Sequence, residues 1–239
     1  GTDAFIAKYA PDGALIWVKA LGGLGADQVT ALAVDRSGAI YAAGSFSFSV
    51  DFDPGPSTAT LVSSGQEDAF LLHLDRDGNY IWARKTGGPF IDRAAAVAID
   101  STGMLHFGGI FAGRVDMDPG PAQQWLTSAG NSPDIFWSTF APEGNWMASR
   151  QFGGPGAEQL TALKPVGNSV YLAGAFADSL DLDPGPGLVQ LSSKGQTDGF
   201  IARYSTAGVF AWTRQIGGTG EDIVSDAAVS SPSSIAVTG

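Results

Sequence analysis

Along the chain, apolar and polar positions fall into short runs broken by turn residues. One stretch shows the pattern in full: VTALAVD (29–35), AIYAAGSFSFSVDF (39–52), TATLVSSGQEDAFLLHL (58–74) and YIWARKTGG (80–88). The runs are alternating or continuously apolar, and Ser-Gly, Asp-Pro-Gly-Pro and Asp-Gly turns separate them, which predicts four strands joined by hairpins. No segment sustains a helical period. The predicted fold class is therefore all-β, and the four runs are called strands a, b, c and d.

The same four-strand unit recurs. Asp3, Asp68, Asp134 and Asp198, spaced 65, 66 and 64 residues apart, each open an Asp-x-Phe motif that leads through a turn to an apolar run with a basic residue and then Gly-Gly. A regular period of this kind marks arrays, solenoids and propellers. A four-stranded antiparallel unit repeated around an axis is a β-propeller blade. Residues 1–239 then form a single domain, with a half-blade at 1–23 (strands c and d), blades at 28–88, 92–154 and 158–218, and a half-blade at 222–239 (strands a and b). The two halves sum to a fourth blade, and pairing of Ser234–Thr238 with the strand from Phe5 to Tyr9 would close a four-bladed ring without a free edge. Small residues on strand a (Ala31, Ala33, Ala96, Ala98, Ala162) suit a narrow centre. The competing arrangement passes the half-blades to a neighbouring molecule, giving an eight-bladed dimer or an open head-to-tail assembly. The chain opens in mid-repeat at Gly1 without a methionine, as expected of a processed or excised segment.

Composition narrows the partners. The 239 residues carry a net charge of −11 with 15% charged residues, 33 Gly, six Trp and 14 Phe, which suits a turn-rich β protein. An acidic surface repels phosphate backbones, so nucleic acid is not an expected partner and cations are. No apolar run is long enough for a membrane span. The chain has no cysteine, which removes disulfides, thiol catalysis and cysteine zinc sites.

Four series carry candidate chemistry. The V/L-D-x-D-P-G tips place Asp51 with Asp53, Asp116 with Asp118 and Asp181 with Asp183. The second acid of each pair is what a type II turn wants, and the first stands two residues away on the same strand face, so the pair is either a turn device or part of a calcium site. An acid follows each Gly-Gly at a fixed distance: Asp27, Asp92, Glu158 and Asp222. These four are read as acceptors for the amides of their own glycine loops and as an acidic rim on the face that also carries the tips. The basic series Lys19, Arg84, Arg150 and Arg214 on strand d is expected to form a ladder with Asp3, Asp68, Asp134 and Asp198 on strand c. Trp17, Trp82 and Trp212, with Phe5, Phe70, Phe136 and Phe200, read as packing between blades, while Trp125 and Trp137, without counterparts, are candidates for sugar stacking. His73 and His106 stand at unmatched positions, which supports neither a Ser-His-Asp centre nor a histidine metal site.

The phrases TDAFIAKYAPDG, ALAVDRSGAIYAAGSF and SVDFDPGP resemble the bacterial SBBP β-propeller repeats. That resemblance implies an extracellular or bacterial cell-surface module for binding, adhesion or display, and it brings no catalytic motif. The third unit departs most from the pattern, with Trp146 displaced and Lys164-Pro165 in strand a. The functional expectation is a non-enzymatic module whose partner is a surface protein or a glycan, with Ca2+ at the tips where they are more than turns. The alternatives are a structural subunit of an extracellular assembly and, less favoured, a carbohydrate-active enzyme.

Overall fold

The structure is a computed structural model that describes residues 1–130, 132–231 and 234–239. Twenty strands and no helix make up the described residues. They are β1 (Ala4–Tyr9), β2 (Leu15–Gly23), β3 (Gln28–Val34), β4 (Ile40–Phe46), β5 (Ser49–Asp51), β6 (Thr60–Val62), β7 (Asp68–Leu74), β8 (Tyr80–Thr86), β9 (Arg93–Ile99), β10 (Leu105–Phe111), β11 (Arg114–Asp116), β12 (Trp125–Thr127), β13 (Asp134–Phe140), β14 (Trp146–Phe152), β15 (Glu158–Val166), β16 (Ser169–Asp181), β17 (Gln190–Ser205), β18 (Phe210–Ile216), β19 (Asp226–Ser231) and β20 (Ser234–Thr238).

Three four-stranded antiparallel repeat units follow one another, β3-β4-β7-β8, β9-β10-β13-β14 and β15-β16-β17-β18, between a fourth four-stranded sheet, β1-β2-β5-β6, at one end and the pair β19-β20 at the other. An all-β array of small antiparallel sheets with this order is consistent with a β-propeller. The units touch through their first strands, β3 against β9, β9 against β15 and β15 against β19. A bulge in two of these strands serves the contact. Thr30 sits at the register shift of β3 and its hydroxyl donates to the Ala94 carbonyl of the next unit, and Thr161 at the shift of β15 donates to that of Val224. Between sheets lie apolar layers. One gathers Ala94, Phe107, Phe111, Phe136 and Phe140 with Tyr41, Leu71 and Trp82 of the preceding unit. The next joins Trp137 and Phe152 to Leu160, Leu172 and Tyr204 of the following one.

Two expectations are corrected here. First, the ring is not closed. β20 pairs with β19 alone and β1 with β2 alone, so Ser234–Thr238 does not meet the first strand, and Phe5 is 67% exposed. Four-fold closure needs a quarter-turn per unit, and that angle is set by the thickness of the side-chain layers between sheets, which strand pattern does not encode.

Second, the long runs b and c are not single strands in the first two complete units. Each is broken, b between β4 and β5 and c between β6 and β7, and only the last complete unit keeps them continuous, as β16 and β17. The break in b coincides with one residue in the left-handed region, Phe48 (φ 60°) or Gly113 (φ 71°), and Asp178 (φ 53°) stands at the same position of the last unit, where the strand continues through a register shift. In the first two complete units the outer hairpin swings away from its own sheet. β5 and β6 pair with each other, and β5 pairs with β2 of the preceding unit, Gly22 opposite Asp51 and Gly23 opposite Val50. The D-x-D-P-G hairpin is thus a clamp laid across the junction between two units.

Candidate functional site

The junction face gathers the Gly-Gly pairs, the acids that follow them, the first acids of strand c and the clamp hairpins. Its construction repeats. The first glycine of each pair lies under a strand-c acid: a side chain on Gly22, Gly87, Gly153 or Gly217 would overlap Asp3, Asp68, Asp134 or Asp198, respectively. The second glycine lies under the clamp. A Cβ on Gly23 would overlap the Ser49 carbonyl and one on Gly154 that of Ser179, while one on Gly88 would stand 2.8 Å from the Arg114 carbonyl oxygen. Gly-Gly is therefore required by close approach on two sides, not by turn conformation.

The acids after Gly-Gly are the caps of this construction. Asp27 accepts from the Gly23 amide (2.8 Å) and from Ser47 (3.3 Å), and Asp92 accepts from Gly88 (2.7 Å) and Ala112 (3.0 Å). Asp222 accepts from Gly218 (2.8 Å). Asp27, Asp92 and Glu158 are buried, so three of the four expected rim acids do not present charge to solvent. The reading as amide acceptors stands for the three aspartates, because a buried glycine loop has more donors than acceptors. Burial pushes Asp92 up to about 7 against the pull of its two amide donors, with Asp68 and Glu67 adding like charge.

Glu158 departs from the series. One methylene longer than its counterparts, it makes no hydrogen bond of good geometry on either carboxylate oxygen among the described residues, although the Gly154 amide is near, and it stands beside Asp134. Burial first, then the neighbouring Asp134 charge, pushes Glu158 up to about 9, and burial pushes Asp134 up to about 6. Like charge and burial both favour the protonated form at this pair.

The tip acids are turn devices. Asp51 Oδ1 accepts from the amides of Asp53 (3.1 Å) and Ala59 (2.8 Å), and Asp53 Oδ1 from Gly55 (2.7 Å). Asp116 with Asp118 and Asp181 with Asp183 repeat the arrangement. The intervening Val50, Phe52, Val115, Met117, Leu180 and Leu182 face inward and are fully buried, so the strand alternation puts the acids on the outer side. Among the described residues no three acids or histidines gather to hold a metal ion. Two carboxylates per tip fall short of the six to eight oxygens calcium takes, and turn carbonyls and water would have to supply the rest.

The basic series does not form the expected ladder. Arg84 donates to the Gly144 carbonyl of the next unit's turn (2.9 Å) and lies over Trp82, whose indole donates to Pro142 of the same turn (3.0 Å). Arg150 reaches the Ala207 carbonyl and stacks on Trp137, and Arg214 lies over Trp212. The partners of the strand-c acids come from the next position along strand d: Lys85 pairs with Asp68 (3.3 Å), and Gln151 and Gln215 donate to Asp134 and Asp198. A one-residue offset moves a strand residue to the opposite face, and that parity separates the expected ladder from the observed one.

Of the unmatched tryptophans, Trp137 is fully buried, donates to His106 Nδ1 (3.1 Å) and offers no platform for a sugar. Trp125 is exposed beside the second tip. Arg114 lies 4.2 Å from its ring centroid, and a shallow depression there is lined by Lys85, Asp116, Asp118 and Trp125 among others. His106 is buried against Asp100 (3.2 Å), and His73 stacks on Tyr41 at 4.2 Å between centroids, so both histidines are packing elements. A larger depression of about 630 Å³ opens between the starts of the inner strands, lined by Thr30, Arg93, Glu158, Gln159, Thr161 and Glu221 among others. Sequence reasoning did not anticipate Glu67, which pairs with Arg93 (2.6 Å) and takes the Ser45 hydroxyl, nor the Lys85-Gln151-Gln215 series, whose signal is its spacing from Gly-Gly.

No family model matches the chain. It is 22% identical over 89% of its length to an uncharacterised WD repeat-containing protein of Acanthamoeba polyphaga mimivirus, and 25% identical over 96% of its length to the regulatory protein FlaEY of Caulobacter vibrioides. The matches span 17% and 25% of those proteins, respectively. The first name carries the repeat character that the sheet order also shows.

Proposed function

We propose that the chain is a β-propeller segment of the SBBP-repeat kind, serving as a non-enzymatic module for binding, adhesion or display at the outside of a bacterial cell. The observation that supports it most directly is the economy of the junction face. Asp92 and Asp134 are taken up by a glycine amide and by Gln151, and Glu158 is buried beside Asp134, which leaves the clamp tips and their flanking side chains as the most outward chemistry of this face. Variable residues on a rigid repeated scaffold are where such modules carry recognition. The partner then meets the clamp face, at the tips and the Trp125 depression, and is a neutral glycan or a protein of positive or cation-bridged surface. Calcium enters this reading only as a brace of the tips.

One experiment addresses both parts. Glycan and surface-protein arrays are probed with the native chain, with Trp125→Ala, and with a triple variant of Asp51→Asn, Asp116→Asn and Asp181→Asn, in calcium and in chelator. Asparagine keeps the Oδ1 acceptor of the turn and removes the charge, so it separates capping from cation binding. Binding lost with Trp125→Ala supports the face assignment. Binding lost only through charge reversal at Asp35, Arg36, Asp77 or Glu143 places the site on the opposite face and overturns it. A melting temperature that calcium raises in the native chain but not in the triple variant supports the brace.

A second reading has its own observation. β1 lacks a strand-b partner and β20 lacks a strand-c partner, and the two edges are complementary. In this reading the chain is a structural subunit joined to its neighbours through the half-units.

A further inference from the structure

The three clamp hairpins of this chain all rest on the Gly-Gly of the unit before them, and there are four Gly-Gly sites. The residue preceding Gly-Gly shows what the clamp covers. Leu21, Thr86 and Phe152 are 2%, 2% and 1% exposed, and Leu21 and Phe152 lie in the same apolar clusters as the hairpin pairs Val50 with Phe52 and Leu180 with Leu182. At the fourth site the corresponding Ile216 is 40% exposed. A Cβ on Gly218 would meet no atom within 4 Å, whereas one on Gly23, Gly88 or Gly154 runs into the backbone of a hairpin. The loop is nonetheless set in the same form as the others. Gly218 donates to Asp222 at 2.8 Å, as Gly23 does to Asp27 and Gly88 to Asp92, and the Asp222 amide bonds to Thr197 as the Asp27 amide does to Thr2. At the first two sites the remaining oxygen of the acid takes an amide from the strand b that leads into the clamp, Ser47 or Ala112.

We infer that Ile216, Gly217, Gly218 and Asp222 form a preset dock for one more D-x-D-P-G hairpin, supplied by a further repeat of the same type. The occupant follows from continuity with the three filled junctions. It is a two-stranded hairpin with apolar residues flanking its first acid, Val50 and Phe52 in this chain, to cover Ile216, and its backbone lies flat on Gly218. It brings an amide to the Asp222 oxygen that has no donor among the described residues. A second copy of this chain does not meet the requirement, because its three hairpins are engaged on their own glycine pairs.

The test extends the chain after Gly239 with a copy of residues 45–66, since Gly239 stands against the Ile223 carbonyl as Gly44 does against that of Gln28. The extended chain is compared with the native chain and with both forms carrying Gly218→Val. Valine is tolerated in the native form, where nothing lies within 4 Å, and it occupies the place of the hairpin backbone in the extended form. Expected are a rise in melting temperature of about 5 °C on extension and slowed amide exchange at residues 216–222, both lost with Gly218→Val. Equal stabilisation of the two extended forms, or no change in exchange at 216–222 on extension, overturns the inference.

Discussion

Glu158 holds a place where the other units carry aspartate, and it is a buried carboxyl beside that of Asp134. The consequence is a dependence of stability on pH with a definite sign. A carboxyl whose folded pKa lies above its unfolded value makes the folded state bind the proton more tightly, so its contribution is complete below the unfolded value near 4.5 and is lost as pH rises toward about 9. Asp134, raised to about 6, and Asp92, raised to about 7, lose their contributions in the same direction over the lower part of that range. Glu158→Gln removes the raised carboxyl and puts an amide donor beside Asp134. It is expected to match the native chain near pH 4 and to exceed it by roughly 2 kcal/mol at pH 8, with a flatter profile between. Urea melts at the two pH values measure this, and parallel profiles would show that folding does not raise the Glu158 carboxyl.

At the scale of the element, the run SFSFSVDF reads as one strand and folds as two, because Phe48 takes a positive φ and sends the hairpin across to the preceding unit. The three units meet this requirement with different residues: glycine at 113, which adopts the conformation freely, and Phe48 and Asp178, which carry its cost. Asp178→Gly is expected to gain up to about 1 kcal/mol, less the entropy that glycine adds to the unfolded chain. Gly113→Val is expected to lose roughly 2 kcal/mol or more, since a Cβ there also runs into the Phe90 ring at 2.6 Å. Denaturant melts of the two variants give opposite signs if the kink is built as described.

The whole molecule is an array with unlike ends. Phe5, Tyr9, Leu15 and Val18 are exposed on the first half-unit, and Leu32 and Val34 on β3, positions whose counterparts inside the array pack against the preceding unit. Unpaired strands with exposed apolar side chains are templates for further pairing. Sedimentation of the isolated chain is expected to show mass increasing with concentration, and Val237→Lys, a charge on the β20 edge, to return it to the monomer. A monomer at every concentration would remove the reading as an assembly subunit.

Much of this was legible in the sequence. The 64–66-residue period, the four-strand unit, the turn role of the D-x-D-P-G acids and the capping role of Asp27, Asp92 and Asp222 all follow from local chemistry, because strand periodicity, turn preference and the satisfaction of nearby amides act within a few residues. Where the readings failed, the deciding contact lay in another unit. Arg84 bonds to a turn of the next unit and Lys85 takes the acid expected for it. Trp137 is enclosed by the layer between two sheets. The hairpin leaves its own sheet for the Gly-Gly of its neighbour, and β1 and β20 stay apart. A repeated sequence states what each unit contains, whereas the angle and register at which units stack depend on the thickness and shape of the side-chain layers between them, and those exist only once the sheets are packed.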